Sequence, residues 1–265
     1  MNSSGAVAIS NGQLLMAALL IAVNVVLSAL LQLGLARSLM VASARTVVQL
    51  LLIGQVLQWL FRQNNAALVI GLGLVMAAIA GMASVQRTRR RFPGIYLSSL
   101  VSVMASSALV TGLVLNGIIR PTPWYDPQYL IPLLGMMLGN TLNGISLGLD
   151  RLMENLHMQK DRIETWLALG ANRWEACREV IRDSIRVAMI PTINSMMVVG
   201  LVSLPGMMTG QILEGADPAD AVRYQIVIMF MIAAATALAV IVAVGLGYLT
   251  LTNADQQLRL DRLRE

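Results

Sequence analysis

Several stretches of this chain run on without a single Asp, Glu, Lys or Arg, and that feature decides the class of fold. About 20 mostly apolar residues suffice for an α-helix to cross a bilayer. Runs of that kind lie near 13–35, 46–61, 66–85, 95–117, 128–149, 190–212 and 224–250. They are continuous, whereas the strands of an outer-membrane barrel alternate apolar and polar residues. With 57% hydrophobic and 12% charged residues, the chain is too apolar for a soluble domain. The expected fold is therefore an all-α polytopic membrane protein with about seven transmembrane helices. The second run is short and fits the bilayer only with little tilt or with local thinning. No Gly/Ser-rich linker or compositional break marks a boundary, so 1–265 reads as a single membrane domain.

Basic residues orient it. With the N-terminus outside and the C-terminus cytoplasmic, sixteen of the nineteen Lys and Arg residues fall on the cytoplasmic side, as the bias of cytoplasmic loops toward positive charge requires. Those sixteen include Arg37, Arg45, Arg87, Arg89, Arg90, Arg91, Arg259, Arg262 and Arg264. Only Arg62, Arg120 and Arg223 fall outside. The Arg87–Arg91 run is a topology signal that can also touch anionic lipid headgroups. No basic residue precedes Gln13, and the apolar run after it outlasts a signal-peptide core, so it is a retained first span. The one cysteine, Cys177, excludes an intramolecular disulfide, and the one histidine, His157, excludes a multi-histidine metal site.

The one long polar run, Asp150–Arg186, carries seven basic and seven acidic residues. Its neutrality argues against nucleic acid as a partner. Leu149, Leu152, Leu156, Ile163 and Leu167 recur at helical spacing, so the fifth span continues into the cytoplasm as an amphipathic helix. Gly170 suits the left-handed position just past a helix end. Asn172 and Glu175 match a capping box that restarts the chain as a second helix. That helix places Trp174, Cys177, Ile181 and Ile185 on one face. Beside them run an acidic stripe (Glu175, Glu179, Asp183) and a basic one (Arg178, Arg182, Arg186), spaced for pairing at i,i+3. Trp166 and Trp174 have the character of interface anchors. The segment 150–189 is thus a cytoplasmic helix–turn–helix between spans five and six, either a docking element or an ordinary solvated loop with its tryptophans at the membrane surface.

The run Glu164-Thr-Trp-Leu-Ala-Leu-Gly170-Ala171 resembles the cytoplasmic coupling loop of ABC transporter permeases. Joined to Ile181-Arg-Asp-Ser-Ile-Arg186, Ile190-Pro-Thr192 and Gly200-Leu-Val-Ser-Leu-Pro-Gly-Met-Met-Thr-Gly210, it resembles the FetB-type permeases, a family of iron-export permeases with plant relatives linked to aluminium tolerance. The resemblance implies docking on a soluble ATPase subunit through Glu164, Trp166, Leu169, Gly170, Ala171 and Trp174. It implies a homodimer of the permease in the cell inner membrane, with ATP and Mg on the partner subunit and no cofactor on this chain. One departure stands out: the closing Ile190-Pro191 comes about eight residues later than in the general loop, so the second coupling helix is longer. The chain itself is no ATPase. A phosphate-binding loop ends in Lys-Ser/Thr after a glycine-rich turn, and the only lysine, Lys160, stands in a different context.

The flanking spans echo each other, with Pro132 and Gly135-Met-Met-Leu-Gly139 in the fifth and Pro205 with Gly206-Met-Met-Thr-Gly210 in the sixth. These small-xxx-small pairs, like Gly144 with Gly148, allow close helix approach. Pro205 removes the hydrogen bond to Leu201 and should kink the sixth helix. The expectation is that Pro205, Gly206, Met207, Met208 and Thr209 meet the Gly135–Gly139 segment around the path or an external gate, with Asn140, Asn143 and Asn194 as polar path candidates. Met207 and Met208 are the first candidates for soft thioether ligands. No carboxylate lies within a span. That absence weighs against the alternative of an ion-coupled secondary transporter, which normally needs intramembrane ionisable groups; a non-transporting membrane assembly protein is the blander alternative.

Overall fold

A computed structural model describes residues 9–63, 65–253 and 255–263. Among these residues the ordered elements are helical, with no strand beyond two isolated bridges. They are α1 (Asn11–Leu30), α2 (Ala36–Gln63), α3 (Ala66–Gln86), α4 (Ile95–Leu113), a π-helical extension of it (Val114–Ile119), α5 (Pro127–Met158), α6 (Lys160–Ala168), α7 (Arg173–Val198), α8 (Gly206–Leu213) and α9 (Pro218–Leu251), followed by a short 3-10 turn at Leu260–Arg262. Arg264, counted above for orientation, lies outside the described residues.

Among the described residues, six helices are long and apolar enough to cross a membrane: Gly12–Leu30, Ala36–Gln63, Ala66–Gln86, Ile95–Ile119, Pro127–Met158 and Pro218–Leu251. The expected span at 190–212 is not one continuous helix. α7 stops at Val198, the chain turns at Gly200 with φ +83°, and α8 begins at Gly206. The kink expected from Pro205 is thus a full break. Pro205 has no amide hydrogen to continue a helix, and its carbonyl instead accepts from the Thr209 amide at 3.0 Å, opening α8. The second helix also differs from expectation. It runs 28 residues and takes in Arg37 and Arg45 near its start.

The chain divides into two compact units, Met1–Asn64 with Gly210–Asp217 and Asn65–Thr209 with Pro218–Glu265. In the first, α1 and α2 pack as a hairpin. Its turn is tied by Ser28, whose hydroxyl accepts from the Leu35 amide at 3.0 Å and whose carbonyl accepts from the Leu33 amide.

In the second unit α5 is central and packs against α3, α4, α7 and α9. Small residues set the closest approaches. A Cβ added at Gly144 would lie 2.7 Å from Thr236 and 3.0 Å from Val240, and one at Gly148 would lie 3.2 Å from Val244. Likewise a Cβ at Gly81 would come within 3.0 Å of the Leu100 backbone. At that crossing the buried hydroxyls of Ser84 and Ser99 share a hydrogen bond, and Ser99 donates to the Gly81 carbonyl at 2.9 Å. Satisfying hydroxyls on a neighbouring turn lets a serine-lined face pack in an apolar setting.

α7 runs antiparallel to both α5 and α9. Arg151 meets Asp183 at one level and Gly148 meets Ala188 at the next, so α5 ascends as α7 descends. Against α9, Trp174 packs on Tyr248, while Met196 lies with Met229 further along.

Candidate coupling surface and path residues

α6 ends in a Schellman turn that follows directly from its sequence. Gly170 adopts φ +93°, which glycine alone takes without strain. The Gly170 amide donates to the Leu167 carbonyl and the Ala171 amide to the Trp166 carbonyl, both at 3.0 Å. Two residues later α7 opens with the expected capping box: the Glu175 amide donates to the Asn172 side chain at 2.9 Å, and the Glu175 carboxylate accepts from the Asn172 amide at 2.8 Å. The reversal between α6 and α7 is therefore specified by four residues, Gly170, Ala171, Asn172 and Glu175.

What this turn presents is apolar and uncovered. Trp166 is 50% exposed, Leu169 77% and Trp174 52%. Behind them Ile163, Cys177, Val180 and Ile181 are buried and seat α6 and α7 on the bundle. Trp174 also packs inward, meeting the Tyr248 ring in a T-shaped contact at 6.0 Å. Arg173 stacks over the same ring at 6.0 Å and donates to the Asn253 carbonyl at 3.1 Å, so the end of α9 is fastened to the start of α7. Glu164 pairs with Lys160 at 3.7 Å, one turn away on α6.

The acidic and basic stripes of α7 form no salt bridge or hydrogen bond with each other among the described residues; between them only the longer-range pull of Arg186 on Asp183 is resolved. Glu175 is used in the cap. Glu179 takes Arg162 of α6, and Asp183 takes Arg151 of α5 at 2.9 Å. Asp183 also accepts from the Asn155 amide at 2.9 Å. The Asn155 amide, and then the Arg151 guanidinium, hold the Asp183 carboxyl below the usual carboxylate range. Cross-helix pairing wins because α5 and α6 bring guanidinium and amide groups against α7, and an i,i+3 pair on an exposed helix contributes only about 0.2–0.5 kcal/mol. Sequence spacing shows none of these partners, which lie 17 to 32 positions apart. Burial has an opposite effect nearby: it pushes the Cys177 thiol up to about 11, so at neutral pH the group is a protonated packing atom.

The path candidates separate into groups. Pro205 and Met208 line an apolar cavity of about 410 Å³ with Met196, Gln225 and Met229. Gln225 is 6% exposed, and its side-chain oxygen has no hydrogen-bond partner in the protein. Met207, Gly206 and Thr209 do not line it; the Thr209 hydroxyl donates back to the Pro205 carbonyl at 3.1 Å. Asn140 donates to the Met136 carbonyl on its own helix at 2.9 Å. Asn143 accepts from Arg87 at the end of α3, and Asn194 is exposed on α7. Gly139 and Gly206 each have open space where a Cβ would go, so within one copy neither is a close-packing point. Gly135 instead faces Met76 of α3, 3.5 Å from an added Cβ. No group of three His, Cys, Asp or Glu residues that could hold a metal ion occurs among the described residues.

Comparison with known proteins gives a consistent result. Residues 11–252 match the model of an uncharacterised protein family, UPF0014. "UPF0014 membrane protein slr1647" of Synechocystis is 42% identical over 85% of this chain and 87% of that protein. "Probable iron export permease protein FetB" of Escherichia coli is 32% identical over 97% of this chain and 98% of its own length. "Protein ALUMINUM SENSITIVE 3" of Arabidopsis thaliana is 35% identical over 78% of this chain and 75% of that protein. No solved structure matches the chain.

Proposed function

This chain belongs to the UPF0014 family and is a multi-pass membrane protein, and from that premise we propose that it is the permease subunit of an ATP-binding-cassette transporter that exports metal ions such as iron. The motor is a separate soluble ATPase subunit carrying ATP and Mg, and two copies of the permease enclose the path. The observation that carries the reading is the apolar, uncovered turn of Trp166, Leu169 and Trp174 on a rigid helical base. Large apolar patches left exposed on a well-capped turn are what a docking partner covers. The full-length relative whose name states iron export supplies the substrate class.

In this reading the turn between α6 and α7 is cytoplasmic, with the N-terminus outside and the C-terminus inside. α7 rises from the turn against α5 and α9, and with the break at 199–205 and α8 it completes a seventh crossing. Its antiparallel packing supports this, as does the bias of Lys and Arg toward that face. ATP binding moves the motor domains, and the turn moves with them. Because the base of α7 is tied to α5 through Asp183 and to α9 through Trp174 and Arg173, the displacement passes into both helices. The break at Gly200 and Pro205 is where α7 and α8 can change angle without bending a continuous helix. The Met196, Met208, Met229 and Gln225 cavity adjoins that break, and Asn194 is uncovered in a single copy.

Co-expression with the ATPase subunit tests the assignment. The two should co-purify as a complex, and replacing Trp166 and Leu169 together by alanine should abolish it while leaving the permease folded. Retention of the complex by that double variant would remove the docking role of the turn.

A further inference from the structure

At the junction of α5, α6 and α7 lies a second feature that transport does not require. Arg151, Arg162, Arg182 and Arg186 surround a cavity of about 390 Å³, together with Glu179 and Asp183. Four guanidinium groups face two carboxylates, so the lining carries a surplus of positive charge. The carboxylates are already engaged, Asp183 with Arg151 and Glu179 with Arg162. Among the described residues Arg182 and Arg186 make no hydrogen bond or salt bridge, although the Arg186 charge also acts on Asp183. Two guanidiniums whose N–H donors have no acceptor in the protein, beside a cavity with surplus positive charge, are suited to an anion with several acceptor oxygens, which Arg binds by paired N–H donors.

What continues from the cavity identifies the rest of the ligand. Arg182, Arg186, Ile190, Ile193 and Met197 fall at four- and three-residue intervals, which puts them on one strip of α7 about 80° wide. Ile190, Ile193 and Met197 are all exposed, Met197 at 71%. The strip is therefore basic at its foot and apolar above it, within a chain that lies in a membrane. Asn194, four residues past Ile190, lies about 40° beyond it and borders the strip on that side. A headgroup phosphate in the cavity and an acyl chain along Ile190, Ile193 and Met197 match this strip in order and in polarity. A free phosphate would match the foot alone.

We propose that this cavity and strip form a binding site for an anionic phospholipid, with Arg182 and Arg186 holding the headgroup phosphate. The site is independent of the transport reading and stands or falls without it. Its place against α6 and α7 puts the lipid beside the two helices that carry Trp166 and Trp174.

Native mass spectrometry of the full-length permease, after exchange into mixed phosphatidylglycerol and phosphatidylcholine followed by mild delipidation, tests it. The wild type should retain phosphatidylglycerol in preference to phosphatidylcholine. Arg182→Gln with Arg186→Gln should lower that preference about fivefold for each arginine removed. Arg182→Lys with Arg186→Lys should restore most of it, because the charge remains, and Arg223→Gln at the other end of the bundle should leave it unchanged. Inorganic phosphate should not displace the lipid. Equal retention in the wild type and the glutamine variant would overturn the proposal, and so would displacement by inorganic phosphate, which would assign the cavity to a soluble anion. Loss of ATPase-subunit binding in the glutamine variant with lipid preference intact would also overturn it, and would make the arginines part of a protein interface.

Discussion

Arg151 on α5 donates to Asp183 on α7 at 2.9 Å, joining helices 32 positions apart in the chain, and the Asn155 amide completes the contact on the same carboxylate oxygen. Asp183 also stands about a turn and a half below Ala188, which packs against Gly148. Polar pairing and close small-residue packing therefore follow each other along one helix interface, and they fix the base of α7 before it enters the apolar part of the bundle.

Asp183→Ala should lower stability by about 1–3 kcal/mol, because it leaves Arg151 and Asn155 without their acceptor at a half-buried interface. Thermal unfolding of the detergent-solubilised permease checks this. The pH dependence has a definite sign. The folded carboxyl titrates below its ordinary value of 3.8, so its contribution is complete above that pH and is lost as pH falls through the depressed folded value. The gap between wild type and Asp183→Asn should hold from neutral pH to about 4 and close below it.

Trp166→Ala and Leu169→Ala should each weaken ATPase-subunit binding with little change in permease stability, since both side chains are at least half exposed. If either is a hot spot, the loss is about 2 kcal/mol, or roughly thirtyfold in Kd. Trp174→Ala should differ by lowering stability as well, through its contact with Tyr248. Titrating the ATPase subunit onto immobilised permease, beside a melting curve for each variant, distinguishes the two behaviours.

Gly144→Ala should destabilise by about 1–3 kcal/mol, the usual cost of forcing extra volume into a packed interface, because the new Cβ would come within 2.7 Å of Thr236. Gly139→Ala meets open space and should leave the melting temperature of the single permease unchanged. If Gly139→Leu nonetheless blocks transport in a stable protein, the glycine acts between copies or in the path. Normal transport by both Gly139→Leu and Gly206→Leu would remove them from any gate.

Cys177 should resist maleimide at pH 7 in the folded protein and react fully after denaturation. Burial in α7 both shields the thiol and keeps it protonated. Rapid labelling of the native protein, followed by mass spectrometry, would show that the base of α7 opens.

The local parts of this architecture are legible in the sequence. Gly170 and the Asn172/Glu175 pair sit at fixed short spacings whose physics is local, and the structure has the turn and the cap at those residues. Unbroken apolar runs likewise locate α3 to within a residue of its observed end. What sequence spacing conceals is decided at long range. The stripes of α7 look like i,i+3 pairs, yet Asp183 and Glu179 choose arginines on α5 and α6. The segment 199–205 reads as apolar and continuous because Leu201, Val202 and Leu204 mask the left-handed Gly200 between them and Val198. Among the path candidates, Met208 is joined by Met196, Gln225 and Met229, which are brought to it by packing. The echo of Gly-Met-Met-x-Gly gives no hint of that grouping.

The central claim is tested most directly by metal transport in proteoliposomes that contain the permease with or without its ATPase subunit. The account predicts iron movement only when both subunits and ATP with Mg are present, and its loss when Trp166 and Leu169 are replaced together by alanine. Iron transport by the permease alone, driven by a proton gradient in vesicles free of ATP, would contradict it.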